Sequence, residues 1–214
     1  GVYVLNVPYL LFYPDANRDD VPDRDPDVLL TGFGMEDASS VANSLTWGPD
    51  GWLYGNQGTC VTARVRGIEF QQAVWRYHPR TRRFELFAEG GPNMFGFDYD
   101  RAGNIFTGNT FGNRVAMHAV SGGYYVKAFG KHGPLHNPYT FGYFDILPHE
   151  GFRGGHVTSS GIIYRGDTFD EAFDGAYIAP NLLAHEVHWH RMVPDGRRFR
   201  TEHAGARLKA KQPW

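Results

Sequence analysis

Residues 43–55 read Asn43-Ser44-Leu45-Thr46-Trp47-Gly48-Pro49-Asp50-Gly51-Trp52-Leu53-Tyr54-Gly55. Two short β-rich runs flank a Gly-Pro-Asp-Gly turn. Pro49 presets φ in that turn, and Gly51 supplies φ > 0. Leu45 and Trp47 alternate onto one face, as a strand of period two demands. The plan recurs in 95–108, where Phe95 to Tyr99 leads through Asp100-Arg101-Ala102-Gly103 into Asn104-Ile105-Phe106. Gly103 repeats the place of Gly51 about 52 residues on, with Tyr54 and Phe106 equivalent. A looser third copy runs from Ser160 to Tyr164, past an insertion around Asp167, and into Gly175-Ala176-Tyr177-Ile178-Ala179.

Hairpins of a second kind lie between these units. Val74 to Pro79 turns through Arg80-Thr81-Arg82-Arg83 into Phe84 to Phe87. Val187 to Met192 turns through Pro194-Asp195-Gly196 into Arg198 to Arg200. Leu10 to Leu30, and Met117-His118 to Tyr124-Tyr125-Val126, fit the same slot. Two inner strands followed by an outer hairpin, at irregular periods near 50, is the signature of four-stranded propeller blades. The expected fold is all-β: a partial ring of three to four four-stranded blades. A β-sandwich is the competing fold, but it does not predict two alternating hairpin types. Helix is expected only in short turns, nearest Glu36 to Val41.

Composition agrees. The chain has 214 residues, 27 of them Gly, and 15% aromatics, which suits short strands and tight turns and argues against a helical bundle. The formal charge of −2 gives no electrostatic reason to expect nucleic acid. The single cysteine, Cys60, excludes an intrachain disulfide, a multi-thiolate metal site and c-type haem attachment within this chain. No apolar run is long enough to span a membrane. The chain opens mid-strand at Gly1-Val2-Tyr3-Val4, so residues 1–214 are expected to be one propeller domain cut at both ends, with any signal peptide lying outside.

The chain resembles a bacterial propeller family called membrane-bound dehydrogenases, often fused to a c-type haem domain. In fold these are grouped with soluble quinoprotein glucose dehydrogenase and similar six-bladed, TolB-like propellers. The likeness is carried by Gly1 to Val4, Ala42 to Tyr54, Val74 to Pro79, Phe87-Ala88-Glu89-Gly90-Gly91, Phe129 to Leu135, Asn137 to Phe144 and His156 to Tyr164. Lys131 to Phe144 is its most specific stretch, since Pro-Asp-Gly turns occur in many propellers. The resemblance implies a periplasmic or exported location and a larger parent protein. It further implies a sugar or polyol substrate, pyrroloquinoline quinone as a candidate cofactor, and electron transfer to a c-type cytochrome domain outside this chain. One departure stands out. Relatives often carry histidines after the Glu-Asp pair, where this chain has Glu36-Asp37-Ala38-Ser39-Ser40.

Three groups of residues are candidate sites. Asp15, Asn17, Asp19 and Asp23 have the spacing that starts a calcium loop, where alternate oxygens wrap a hard cation; the other reading is a solvated acidic hairpin tip. Lys131 and His132, and Arg153 and His156, lie in loops of the kind that form propeller binding faces. In quinoprotein dehydrogenases a channel histidine takes the substrate hydroxyl proton. By that resemblance His156 is the base, with Arg153 or Lys131 stabilising developing negative charge. The competing reading is hydrogen bonding to loop backbone. His188 and His190 alternate on one strand beside Glu186, a pattern that can bind a metal but that reads more readily as an exposed Trp/His strand. Trp47, Trp52 and Trp75 fit inter-blade cores better than a sugar-stacking surface. Two function classes follow: a dehydrogenase module, or a non-catalytic carbohydrate- or protein-binding propeller.

Overall fold

The turn chemistry acts locally as expected. In the computed structural model Gly51 N donates to Gly48 O at 3.1 Å, with Gly51 at φ +78°. The Asp50 carboxylate then accepts from Trp52 N at 3.3 Å and from the Tyr54 hydroxyl at 2.8 Å. Asp100 repeats the device, accepting from Ala102 N and Asn104 N. The structure describes residues 1–109, 114–127, 142–151 and 160–211.

Each such turn starts an antiparallel sheet. The first sheet holds β1 (Val2–Asn6), β2 (Tyr9–Tyr13) and β3 (Asp27–Thr31). The second runs β4 (Asn43–Trp47), β5 (Leu53–Gln57), then a side hairpin of β6 (Ala63–Val65) and β7 (Ile68–Phe70), then β8 (Ala73–Tyr77) and β9 (Phe84–Gly90). The third holds β10 (Phe97–Tyr99), β11 (Ile105–Gly108) and β12 (Ala116–Ala119). Next come β13 (Gly123–Tyr125), β14 (Gly142–Phe144) and β15 (His149–Glu150). The last sheet is built from β16 (Ile162–Ile163), β17 (Tyr177–Asn181), β18 (Glu186–Asp195) and β19 (Arg198–Lys209), with β15 added in parallel on β19.

Three cores form between successive sheets. Leu10 and Leu30 pack with Leu53 and Trp75; Tyr54 and Val74 pack with Phe97, Ile105 and Met117; Phe106 and Ala116 pack with Ile163 and Tyr177. Neighbouring residues of one strand serve different cores: Leu53 and Tyr54 in β5, Ile105 and Phe106 in β11. A sheet buried on both faces is the reason these strands read as continuous apolar runs. It is also the stacking expected of consecutive blades.

Three expectations need correction. The second and fourth sheets contain the predicted four-strand meander, but the first and third have three strands. Met117-His118 and Tyr124-Tyr125 do not form an outer hairpin. The Tyr125 hydroxyl donates to His118 O at 2.5 Å and accepts from Val120 N at 2.9 Å, so it occupies backbone groups at the exit of β12. β13 pairs in parallel with β9 instead, and β14 follows it there. Glu36 to Val41 is also not helical. Asp37 Oδ1 accepts from both Ser39 N at 2.9 Å and Ser39 Oγ at 2.6 Å, closing a turn. Among the described residues the one helical segment is a single 3-10 turn, Glu171–Phe173, and no helix is long and apolar enough to cross a membrane.

Candidate functional site

The β4–β5, β10–β11 and β16–β17 turns share one end of the stacked sheets, where Gly103 approaches Pro49 and Arg101 pairs with Asp174 at 2.6 Å. At the opposite end the β3–β4, β5–β8 and β9–β10 connections meet, and there the apolar cores give way to a belt of buried amides. Asn56 and Gln57 close β5, both wholly buried. Asn56 Nδ2 donates to Gly96 O at 2.7 Å, and Gln57 Nε2 to Ser40 O at 3.3 Å. Asn93 accepts from Thr59 N at 3.1 Å and donates to Ser39 O at 2.9 Å. Asn43 Nδ2 donates to Met94 O at 3.1 Å, and Gln72 Nε2 to Thr59 Oγ1. Ser44 accepts from Gly96 N at 2.8 Å and sits at φ +62°, a conformation rare outside glycine.

This belt ties three connections together. It leaves the buried oxygens Asn56 Oδ1, Gln57 Oε1 and Gln72 Oε1 without a hydrogen-bond partner among the described residues. Each such acceptor costs about 1–3 kcal/mol unless a water or ligand donor satisfies it. The amides are neutral and their open atoms are acceptors, so the belt can orient hydroxyl-bearing groups but cannot itself transfer protons. A Gly-Asn pair closing an apolar strand was its sequence signal, at Gly55-Asn56 and again at Gly108-Asn109.

Lys131, His132, Arg153 and His156 lie outside the described residues. Ser160, the first described residue after the segment holding Arg153 and His156, sits at the Gly96 corner of the belt. Its N donates to Phe95 O at 3.3 Å, and a Cβ built on Gly96 would fall 2.3 Å from Ser160 Cα.

At the acidic loop, Asp15 Oδ1 accepts from Asp19 N at 3.2 Å, Asp19 Oδ1 from Val21 N at 2.9 Å, and Asp23 Oδ2 from Ala16 N at 2.8 Å. Asn17 Nδ2 donates to Asp19 Oδ2 at 2.9 Å. The side chains therefore fold the loop on itself through its own backbone N–H groups. Its carboxylates are hard-oxygen donors of the type calcium takes, but Asp15, Asp19 and Asp23 do not converge on one point in this arrangement.

The three tryptophans divide. Trp75 is fully buried, Trp52 lies 4.2 Å beneath the Arg76 guanidinium, and Trp47 is 48% exposed with its edge against Tyr3. Arg76 pairs with Glu85 at 2.8 Å and Asp50 at 3.4 Å, and Arg83 also reaches Glu85, which makes this hairpin a mixed-charge face.

The expectation of an exposed Trp/His strand is overturned. His188 and His190 are buried, at 3% and 0% exposure, on the face of β18 that also carries the partly buried Met192. Their rings lie beside His203 of β19, and His149 of β15 adjoins His190. Burial, with the neighbouring imidazoles adding to it, pushes His190 down to about 2 and His149 down to about 4. Both rings are thus neutral at pH 7.

Residues 1–211 match the family model described as Domain of unknown function (DUF7133). No curated protein matches the chain. Among solved structures, it is similar to a protein assigned as an oxidoreductase (glucose dehydrogenase) from Thermus thermophilus. The identity is 18% and the TM-score 0.60, covering 95% of this chain and 67% of that one. It is also similar to the PQQ-bound form of aldose sugar dehydrogenase from Streptomyces coelicolor. There the identity is 12% and the TM-score 0.57, covering 98% of this chain and 62% of that one, so the chain spans less than two thirds of that protein. At these identities the likeness shows the fold.

Proposed function

The chain belongs to the DUF7133 family, and we propose that it is part of a six-bladed, dehydrogenase-like propeller that oxidises a sugar or polyol. The observation that carries this reading is the fold shared, along nearly the whole chain, with a PQQ-bound aldose sugar dehydrogenase. Pyrroloquinoline quinone (PQQ) is a polycarboxylate, and when bound it supplies a two-electron acceptor. The open groups of the amide belt are acceptors, which match the hydroxyl donors of a sugar or polyol and do not match the carbonyl and carboxylate oxygens of the quinone. In this reading the catalytic residues are His156, Arg153, Lys131 and His132, all outside the described residues. His156 takes the substrate hydroxyl proton, and an adjacent cation stabilises the negative charge that develops on oxygen. On the same reading a c-type haem domain outside this chain would accept the electrons, in the periplasm or another exported setting.

The test is turnover by the purified protein with PQQ, Ca²⁺, a panel of aldoses and polyols, and an artificial electron acceptor. Sugar-dependent reduction is expected, and His156→Asn should abolish it while quinone binding persists. Failure to bind the quinone overturns the reading. Sugar binding without turnover replaces it with a carbohydrate-binding module.

Calcium at Asp15, Asn17, Asp19 and Asp23 belongs to the same reading as a structural ion. Tenfold excess over Kd should raise Tm by about 3–6 °C. An unchanged Tm in millimolar Ca²⁺ removes calcium from the reading.

A further inference from the structure

In the fourth sheet, far in sequence from the amide belt, four imidazoles share one sheet face. His190 and His203 are direct cross-strand partners, and His188 lies two residues before His190 on the same face. His149 pairs in register with Thr201, two residues before His203. The His188 and His203 ring centroids are 4.9 Å apart, His190 and His203 5.4 Å, and His149 and His190 5.2 Å. One donor nitrogen from each of His188, His190 and His203 lies within 4.8 Å of the other two. No other group of His, Cys, Asp or Glu among the described residues converges in this way.

A neutral imidazole core explains this arrangement poorly. His190 is wholly buried, and neither of its ring nitrogens has a hydrogen-bond partner among the described residues; His203 Nδ1 is buried in the same condition. Leaving such atoms unsatisfied costs about 1–3 kcal/mol each. The β18–β19 ladder also carries two register shifts, at Val187/His188 and at Trp189/His190, each beside a histidine of the cluster. Bulges of this kind re-aim side chains at the cost of ladder pairing.

The neighbouring groups set tautomers that suit a ligand role. Glu186 Oε2 lies 2.7 Å from His188 Nε2, and Lys209 holds the same carboxylate at 3.0 Å. An ionised carboxylate only accepts, so His188 donates from Nε2 and its lone pair stays at Nδ1. Thr201 Oγ1 donates to Pro148 O at 3.2 Å and so accepts from His149 Nδ1 at 2.8 Å, which puts that ring's lone pair at Nε2. A carboxylate or hydroxyl behind the ligating ring is the usual support of metal-bound histidine.

We propose that His188, His190 and His203 form a binding site for a divalent first-row transition metal, with His149 as the adjacent fourth imidazole. Neutral nitrogen donors select zinc, copper or nickel over calcium and magnesium. Tetrahedral zinc, with Zn–N of about 2.0–2.1 Å, sets donors roughly 3.3 Å apart, so donor nitrogens within 4.8 Å of one another close by up to about 1.5 Å. His203, the half-buried member, is the route of access. Bound there, the ion cross-links the two long strands of the outer hairpin across their bulges.

The test is equilibrium dialysis of the purified protein against Zn²⁺ with metal analysis, alongside Co²⁺ binding read from its visible d–d absorption. One equivalent is expected, with Tm rising roughly 5–10 °C at a hundredfold excess over Kd. His203→Asn, at a half-buried position, and His190→Asn should each abolish that equivalent. Glu186→Gln should weaken it about 10–100-fold, and His78→Ala should leave it unchanged. No bound metal at micromolar Zn²⁺, or stoichiometric binding surviving in both His203→Asn and His190→Asn, overturns the site and leaves the buried nitrogens to ordered water.

Discussion

Asp98→Ala is expected to destabilise the protein by about 3–5 kcal/mol, because it breaks a buried charge contact and strands its partners. Asp98 lies in β10 of the third sheet, with 10% of its side chain exposed. One oxygen accepts from Ile163 N at 2.7 Å, at the start of the fourth sheet. The other accepts from Arg165 Nη2 at 2.9 Å and from Tyr99 N at 2.9 Å. A single carboxylate therefore joins two sheets more than sixty residues apart in sequence. Arg165 also stacks 4.5 Å from the Tyr99 ring, so its position depends on both sheets. Thermal denaturation should show Tm falling by roughly 6–20 °C. Asp98→Asn retains an acceptor for the Ile163 N–H and should lose clearly less. Equal losses for the two variants would show that charge pairing, and not the capped N–H, dominates. A loss below about 1 kcal/mol for the alanine variant would refute the coupling.

Trp75→Ala should cost a similar amount, about 3–5 kcal/mol, through cavity formation. Trp75 is fully buried in the core between the first and second sheets, with Phe33 at 5.0 Å and Phe84 at 6.2 Å. Its indole N–H donates to Asn56 O at 3.1 Å. The space it fills is made by Gly55 on the neighbouring strand, where an added Cβ would meet the indole at 2.3 Å. Gly55→Ala should therefore destabilise as well, by about 1–3 kcal/mol from overpacking. Urea denaturation of both single variants and the double variant reads the coupling. If the two losses simply add, the close approach of Gly55 and Trp75 is not what fixes this packing.

Much of the strand order was legible because hairpin turns are decided locally. Gly51 and the Asp50 carboxylate act within a few residues of the chain, and Asp100 does the same in the next unit. The exchange of β13 onto β9 was not legible. It depends on the Tyr125 hydroxyl reaching the backbone of residues 118 and 120, a choice that a strand pattern does not encode. The amide belt was hidden for a related reason. Its hydrogen bonds join residues 13 to 54 positions apart, and nothing in the sequence brings those connections to one end of the sheets until the sheets stack.

The alternation of apolar residues, the Pro-Asp-Gly turns and the recurrence of the unit about 52 residues on were sufficient to call for an all-β protein of repeated strand–turn–strand units. Those features are properties of neighbouring residues, and steric limits on φ act at that range. A period of two also puts His188 and His190 on a common face, but it is silent on whether that face meets solvent or protein. The tertiary structure decided that. The cross-strand pairing of β19 and the added strand β15 bring His203 and His149 to the same face, and they convert an apparently solvent-facing pair into a buried cluster of imidazoles.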